Sequence, residues 1–195
     1  MSPPELERKT LSRELPLIEK IGDRRLRELV IEVWVRLWRE SPYRDIGQAP
    51  NYLSEMDGDD TLVHHTNAVV KMSEAIAREF QQAYGTSLNF DRLLAGALLH
   101  DVDKLVLYER KGDSVQLSEL GRKVSHGGYG ARVAAQVGLP QDVVNIIACH
   151  SPMQHEVLPA TIEAVLVAAC DTANFQSYRL MKGKGLWKIP RPSDK

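Results

Sequence analysis

The sequence predicts an all-α protein, and three observations carry that prediction. Apolar residues recur almost throughout at helical rather than strand spacing. The chain is punctuated by helix stops: Gly85 after a long periodic run, Gly138-Leu139-Pro140, and the Ser-Pro pairs at Ser41-Pro42 and Ser151-Pro152. No internal repeat or low-complexity block suggests another architecture.

The elements follow in order. Pro4 to Lys20 can form a first helix broken near Pro16. Asp23 to Glu40 carries the apolar stripe Leu26, Val30, Val33 and Leu37 behind a capping Asp23. Residues Ser41 to Asp60, rich in Pro, Gly, Asn and Asp, are expected to be loop. A long helix should run from Thr61 to about Tyr84, with His65, Val69, Met72, Ile76 and Phe80 on one side. The next should run from about Asn89 to Asp103, with Leu93, Ala97 and His100 in register. Lys104 to Gln116 is polar and contains Gly112-Asp113, and is expected to be irregular. A short helix is expected around Ser118 to Lys123, then helices from His126 or Gly128 to Val137 and from Gln141 to His150. The last should span Pro159 to about Leu180, with Ile162, Val165, Leu166 and Ala169 inward and Asp171 near that face. A basic tail follows. The expected organisation is residues 1–60 packing on a core of residues 61–180, with 181–195 as tail.

Bulk properties narrow the function. The 195 residues suffice for one well-packed domain. With 25 basic and 26 acidic residues the net charge is -1, so no overall field draws in a nucleic acid polymer or an anionic membrane. An anionic ligand must be held locally. The first residues lack the apolar segment of a signal peptide, and no run approaches the roughly 18 apolar residues of a membrane span, so a cytoplasmic protein is expected. The two cysteines, Cys149 and Cys170, lack metal-site spacing and are expected to fill the core.

In "ALLHDVDKL", residues 97 to 105, His100 and Asp101 follow three apolar residues directly. Burying an unpaired charge there would cost several kcal/mol, so a partner is required. The other candidates are His65, His126, His150 and Asp171, each on or at the end of a predicted helix and flanked by apolar residues. Imidazoles and carboxylates are standard ligands for divalent cations, and a carboxylate has two oxygens with which to bridge two of them. Adjacent residues on a helix point about 100° apart, so His100 and Asp101 can share a cation only near a helix end.

A histidine in "HHTNAVV", the doublet in "ALLHDVDK", the histidines of "SHGGYGARVAAQVGLP" and "VVNIIACHS", and the aspartate of "VLVAACDTANF" together resemble the HD-domain superfamily of metal-dependent phosphohydrolases. The resemblance spans about Leu62 to Gln176. It implies an HD-domain helical bundle, here with additional N-terminal helices. It also implies one metal on His65, His100, Asp101 and Asp171, and a second on His126, His150 and the bridging Asp101. His65 is preferred to His64 because the family places a valine four residues later, at Val69 here. Two departures stand out: Asp103 replaces a glycine common in the family, and Ser151-Pro152 follows His150 where the cyclic-dinucleotide-cleaving subgroup has Gly-Tyr-Pro.

The implied activity is hydrolysis of a phosphate ester, of a nucleotide or small phosphorylated metabolite. Two divalent ions (Fe, Mn, Co, Ni, Mg or Zn, with Fe or Mn favoured) would activate the attacking water. The resemblance also admits a mixed-valent diiron oxygenase acting on a polyol or hydroxyphosphonate, and a ligand-sensing module without turnover. Lys104, one turn after His100, is expected to bind the substrate and offset charge in catalysis with Asp101; the alternative is a solvated lysine complementing the helix dipole. The glycines of Gly127 to Gly130 are expected to admit close backbone packing, since no strand precedes them and no phosphate-loop lysine follows. Tyr43, Arg44 and Tyr52, on the loop before His65, are expected substrate contacts. Lys182, Lys184, Lys188 and Arg191 are expected in a solvated tail, and His155 in an exposed loop. No base-recognition cluster of aromatics is visible. The Trp34 and Trp38 face is expected to pack on the core, with a homodimer as the alternative.

Overall fold

In the computed structural model, which describes residues 5–57, 60–152 and 157–188, the chain is a bundle of α-helices with one small hairpin. The order is α1 (Glu5–Glu14), a 3₁₀ turn (Pro16–Lys20), α2 (Arg24–Glu40), a second 3₁₀ turn (Ile46–Gln48), α3 (Ser54–Asp57), α4 (Leu62–Tyr84), α5 (Phe90–Leu99), α6 (Lys104–Leu107), β1 (Tyr108–Lys111), β2 (Ser114–Leu117), α7 (Gly128–Val137), α8 (Gln141–Cys149) and α9 (Ile162–Met181). Side-chain caps start four of the long helices: Asp23 for α2, Thr61 for α4, Asn89 for α5 and Thr161 for α9. Gly85 and Gly138 close α4 and α7 in the left-handed conformation that favours glycine.

Helix α5 lies at the centre, against α2, α4, α8 and α9. Every residue from Leu93 to Leu99 is buried, as a helix surrounded by others requires. Gly96 lets α8 approach: a Cβ there would stand 2.6 Å from two atoms of Ile146. The N-terminal elements join the same core. Trp34 is wholly buried and its indole N–H donates to the Leu98 carbonyl at 3.1 Å, and the Asp91 carboxylate accepts the backbone N–H groups of Gly22 and Asp23, each at 2.8 Å.

Several expectations need correction. The stretch Lys104 to Gln116 is regular: α6 continues the buried apolar run, and β1 pairs antiparallel with β2, from Tyr108 opposite Leu117 to Lys111 opposite Ser114. Gly112-Asp113 makes the two-residue turn between them. The strands are polar because the hairpin lies over the surface. Ser118 to Lys123 forms turns, with the Ser118 hydroxyl accepting the Gly121 N–H at 3.0 Å. Ser41 to Asp60 contains the second 3₁₀ turn and α3.

Helix α9 buries Ala164, Leu166, Val167 and Cys170, while Ile162 and Val165 are exposed, as is Ala169. Seven consecutive small or apolar residues, Ala164 to Cys170, leave the buried face of a helix undetermined by periodicity. Ile76 of α4 is likewise exposed. His155 and Arg191 lie outside the described residues. Among the described residues no helix is long and apolar enough to cross a membrane.

Candidate metal centre

Five segments bring the six candidate ligands to one place. His65 lies in the first turns of α4, whose start is fixed by the Thr61 cap and by the Leu62 N–H donating to the Ala49 carbonyl at 2.8 Å. His100 caps the C-terminus of α5, and Asp101 stands in the turn between α5 and α6. The helix therefore ends directly before the doublet, which lets both side chains turn inward. His126 precedes α7, His150 caps α8, and Asp171 lies midway along α9.

The donors form two sets that share Asp101. In one, ligand atoms of His65, His100, Asp101 and Asp171 lie within 4.8 Å of one another; in the other, those of Asp101, His126 and His150 do. Asp101 divides its oxygens between them. Oδ2 is 3.2 Å from His65 Nε2 and 3.3 Å from His100 Nε2, and Oδ1 is 2.8 Å from His126 Nε2 and 3.3 Å from His150 Nε2. Asp171 Oδ1 completes the first set, 3.0 Å from His65 Nε2. Nε2 atoms face each other at 3.3 Å between His65 and His100 and at 3.2 Å between His126 and His150. Two imidazole lone pairs at that separation repel unless a cation or proton lies between them, so the donor set fits a pair of divalent ions.

The outer ring nitrogens are all engaged. Nδ1 of His100 and of His150 meets the carbonyls of Ala97 (2.7 Å) and Ile147 (2.8 Å), and Nδ1 of His65 meets Asn174 Oδ1 at 2.8 Å. These bonds turn each Nε2 inward.

Burial and charge set the proton affinities. Burial disfavours the charged form of His65, but its hydrogen bonds to the Asp101 and Asp171 carboxylates outweigh it and raise its pKa to about 9. Burial raises and hydrogen bonding to His65 lowers Asp171, which ends at about 2. Asp101 is held well below the usual carboxylate range, because Lys104 and His100 overcome its burial. His126 is driven well above its ordinary value by Asp103 and Asp101 against burial. His150 falls below its own, burial dominating.

Lys104 is no solvated helix-end residue. It is 6% exposed, with Nζ donating to Asp101 Oδ2 at 2.6 Å and to Asn51 Oδ1 at 2.9 Å. Burial pulls its ammonium toward the neutral form, and the Asp101 charge more than compensates, so the lysine stays charged.

The two sets open on a cavity of about 400 Å³ whose floor includes Asp101, Lys104, His126, His150 and Asp171. Its walls are aromatic: Tyr52, Tyr108, Phe175 and Trp187 all line it. The absence of an aromatic cluster in the sequence is thus a matter of linear distance, because four segments contribute one ring each. Lys104 Nζ sits 5.3 Å from the Tyr52 ring centroid and 5.9 Å from that of Tyr108. The tail supplies Trp187, 6.0 Å from Phe175 between ring centroids and tied down by both amide atoms of Gln176.

Of the three loop residues expected at the substrate, Tyr52 alone lines this cavity. Tyr43 and Arg44 line a separate groove with Trp38 and Arg39, and Tyr43 reaches the site only through Tyr108, donating its hydroxyl to that carbonyl at 3.1 Å. Neither Tyr43 nor Arg44, expected as substrate contacts, is among the residues that line this cavity. His64 points outward and pairs with Asp60 at 2.6 Å. Asn174 and Phe175 were not anticipated, although they stand three and four residues after Asp171, on its side of a helix.

Comparison with known proteins gives a consistent picture. The HD domain family model matches residues 62–173. Dihydroneopterin 2',3'-cyclic phosphate phosphodiesterase of Methanocaldococcus jannaschii is 30% identical over 172 residues, covering 84% of this chain and 68% of that protein. Ribonuclease Y of Thermotoga petrophila is 34% identical over 110 residues, which is 56% of this chain and 18% of the relative. Ribonuclease Y of Acidothermus cellulolyticus is 41% identical over 76 residues, 39% of this chain and 12% of the relative. No solved structure matches significantly.

Proposed function

The chain belongs to the HD-domain family, and on that premise we propose that it is a metal-dependent phosphohydrolase that cleaves a small phosphate ester carrying a planar organic group. The observation that carries this is the shared Asp101, whose two oxygens serve two donor sets beside a buried ammonium and an aromatic cavity. His65, His100, Asp101 and Asp171 would hold one divalent ion, and Asp101, His126 and His150 a second. Such ions supply Lewis-acid activation of water and of a phosphoryl oxygen.

The rest is work for the protein's own side chains. The Lys104 ammonium, fixed by Asn51 and Asp101, offsets the negative charge of the phosphoryl group and of its transition state. Tyr52, Phe175 and Trp187 bind the organic part and exclude water from the reacting end. A cavity of about 400 Å³ suits a mononucleotide-sized ester rather than a folded polymer. One named relative is a phosphodiesterase of dihydroneopterin 2',3'-cyclic phosphate. That supports a phosphodiester of similar size here.

The same donor set, four imidazoles and two carboxylates beside a lysine, also suits an oxygen-activating diiron centre. One experiment separates the two. The full chain, loaded with Mn²⁺ or Fe²⁺, is assayed on 2',3'-cyclic nucleotides, dihydroneopterin 2',3'-cyclic phosphate, bis(p-nitrophenyl) phosphate and a hydroxyphosphonate, with and without oxygen. Hydrolysis that is independent of oxygen, abolished by chelator and lost in Asp101→Ala supports the proposal. Turnover that consumes O₂, or phosphate-ester cleavage that survives Asp101→Ala, contradicts it.

A further inference from the structure

Three of the four converging histidines are held by their own helices. His65 lies inside α4, while His100 and His150 cap α5 and α8 and bond back to carbonyls three residues earlier. His126 has no such support. It stands in the turn two residues before α7, and its side chain is 24% exposed toward the cavity. What holds it is Asp103. Asp103 Oδ1 accepts from His126 Nδ1 at 2.7 Å, and Oδ2 accepts the backbone N–H groups of Gly127 at 2.7 Å and Gly130 at 3.0 Å. Asp103 is wholly buried, and among the described residues His126 is its one ion-pair partner.

We propose that Asp103 is the positioning residue of the second cation site, fixing the orientation and tautomer of His126. With Nδ1–H donating to that carboxylate, Nε2 is the nitrogen left to give its lone pair to a cation beside Asp101 Oδ1, which lies 2.8 Å away. The outer nitrogens of His65, His100 and His150 meet a neutral amide or carbonyl oxygen, so His126 is the one ligand backed by a full negative charge. A carboxylate behind an imidazole raises its strength as a donor. The same carboxylate ties the α5–α6 turn, which carries Asp101, to the start of α7, so Asp101 and His126, two of the three ligands of this site, are held as one unit. The inference rests on the two-cation assignment made above.

Substitution separates the electronic role from the scaffolding role. In Asp103→Asn the single amide oxygen satisfies the two backbone N–H groups, so the NH₂ group faces His126 Nδ1 and pushes the imidazole proton to Nε2. The anchor of α7 survives and the ligand is blocked. In Asp103→Ala both are lost.

The test uses the full chain stripped by chelator and titrated with Mn²⁺, followed by calorimetry and by the electron paramagnetic resonance of free Mn²⁺. Wild type is expected to take up two equivalents. Asp103→Asn should bind the first within about twofold of wild type and the second about 10- to 100-fold more weakly. Its metal-free melting temperature should fall by less than that of Asp103→Ala, and the ¹⁵N shifts of the His126 ring, recorded at a pH where the ring is neutral, should report the opposite tautomer. Asp103→Ala should lose second-site affinity and melting temperature together. A wild-type second affinity in Asp103→Asn, an equal loss at both sites, or an Asp103→Asn that does not fold overturns the inference. A wild type that binds a single equivalent overturns the two-cation assignment and the inference with it.

Discussion

Lys104 Nζ lies 2.6 Å from Asp101 Oδ2, with both side chains buried, so the lysine ammonium and the shared carboxylate are one charge pair inside the core. Removing one partner of a buried pair typically costs about 3–5 kcal/mol, since the other charge is left uncompensated. Lys104→Met should therefore lower the unfolding free energy of the metal-free protein by about 3 kcal/mol or more in urea titration. Divalent ions on Asp101 would supply the missing charge, so the deficit should shrink when the titration is repeated with saturating Mn²⁺. An unchanged deficit would assign Lys104 a purely steric role.

Proton competition gives a second prediction. His65 has its pKa raised to about 9 in the fold against 6.5 unfolded, so its protonation stabilises the metal-free fold fully below about pH 6.5. That contribution is lost as pH rises through about 9. His126, raised well above its ordinary value, acts with the same sign, and His150, lowered, acts only at and below the lower edge of this window. The melting temperature of the metal-free protein should fall between pH 6.5 and 9, while Mn²⁺ affinity rises with pH because the ion displaces those protons. Calorimetry in buffers of different ionisation enthalpy should show proton release on binding near pH 7, and none would contradict the assigned ligands.

The aromatic wall yields a third. Gln176 Nε2 donates to the Trp187 carbonyl at 2.8 Å, and the Trp187 N–H donates to Gln176 Oε1 at 2.9 Å. Gln176→Ala should release the tail and Trp187→Ala should delete one wall. Each should raise KM by up to about tenfold with kcat nearly unchanged, as expected when binding common to ground and transition states is lost. A fall in kcat at constant KM would place Trp187 at the reacting group instead.

Gly96 provides a test of how the fold delivers His100 and His150 to one point. A Cβ at Gly96 would stand 2.6 Å from Ile146 Cδ1 and Cγ2 and force α5 and α8 apart. Gly96→Ala should cost about 1–3 kcal/mol, and adding Ile146→Ala should recover part of it. Metal affinity should follow the same order, because the two helices end in ligands of different sets.

Much of the architecture was legible because caps and stops act locally. Asp23, Thr61, Asn89, Gly85 and Gly138 sit at helix boundaries that neighbouring residues determine. What stayed hidden depends on distant packing. The hairpin after α6 reads as loop because its residues are polar on a solvent-facing sheet, and the buried face of α9 is undetermined within Ala164 to Cys170. The convergence of His65, His100, Asp101, His126, His150 and Asp171 was anticipated through the spacing of apolar flanks and the family pattern. The roles of Asp103, Asn174 and Trp187 were not, because each acts on a partner brought near only by folding.

The central claim is that Asp101 joins two cation positions into one centre. The most direct measurement is the low-temperature electron paramagnetic resonance of the full chain loaded with two equivalents of Mn²⁺. A carboxylate-bridged pair predicts an exchange-coupled spectrum that collapses to isolated Mn²⁺ in Asp101→Ala. Two uncoupled ions in the wild type, or a coupled signal that survives the substitution, would contradict the account.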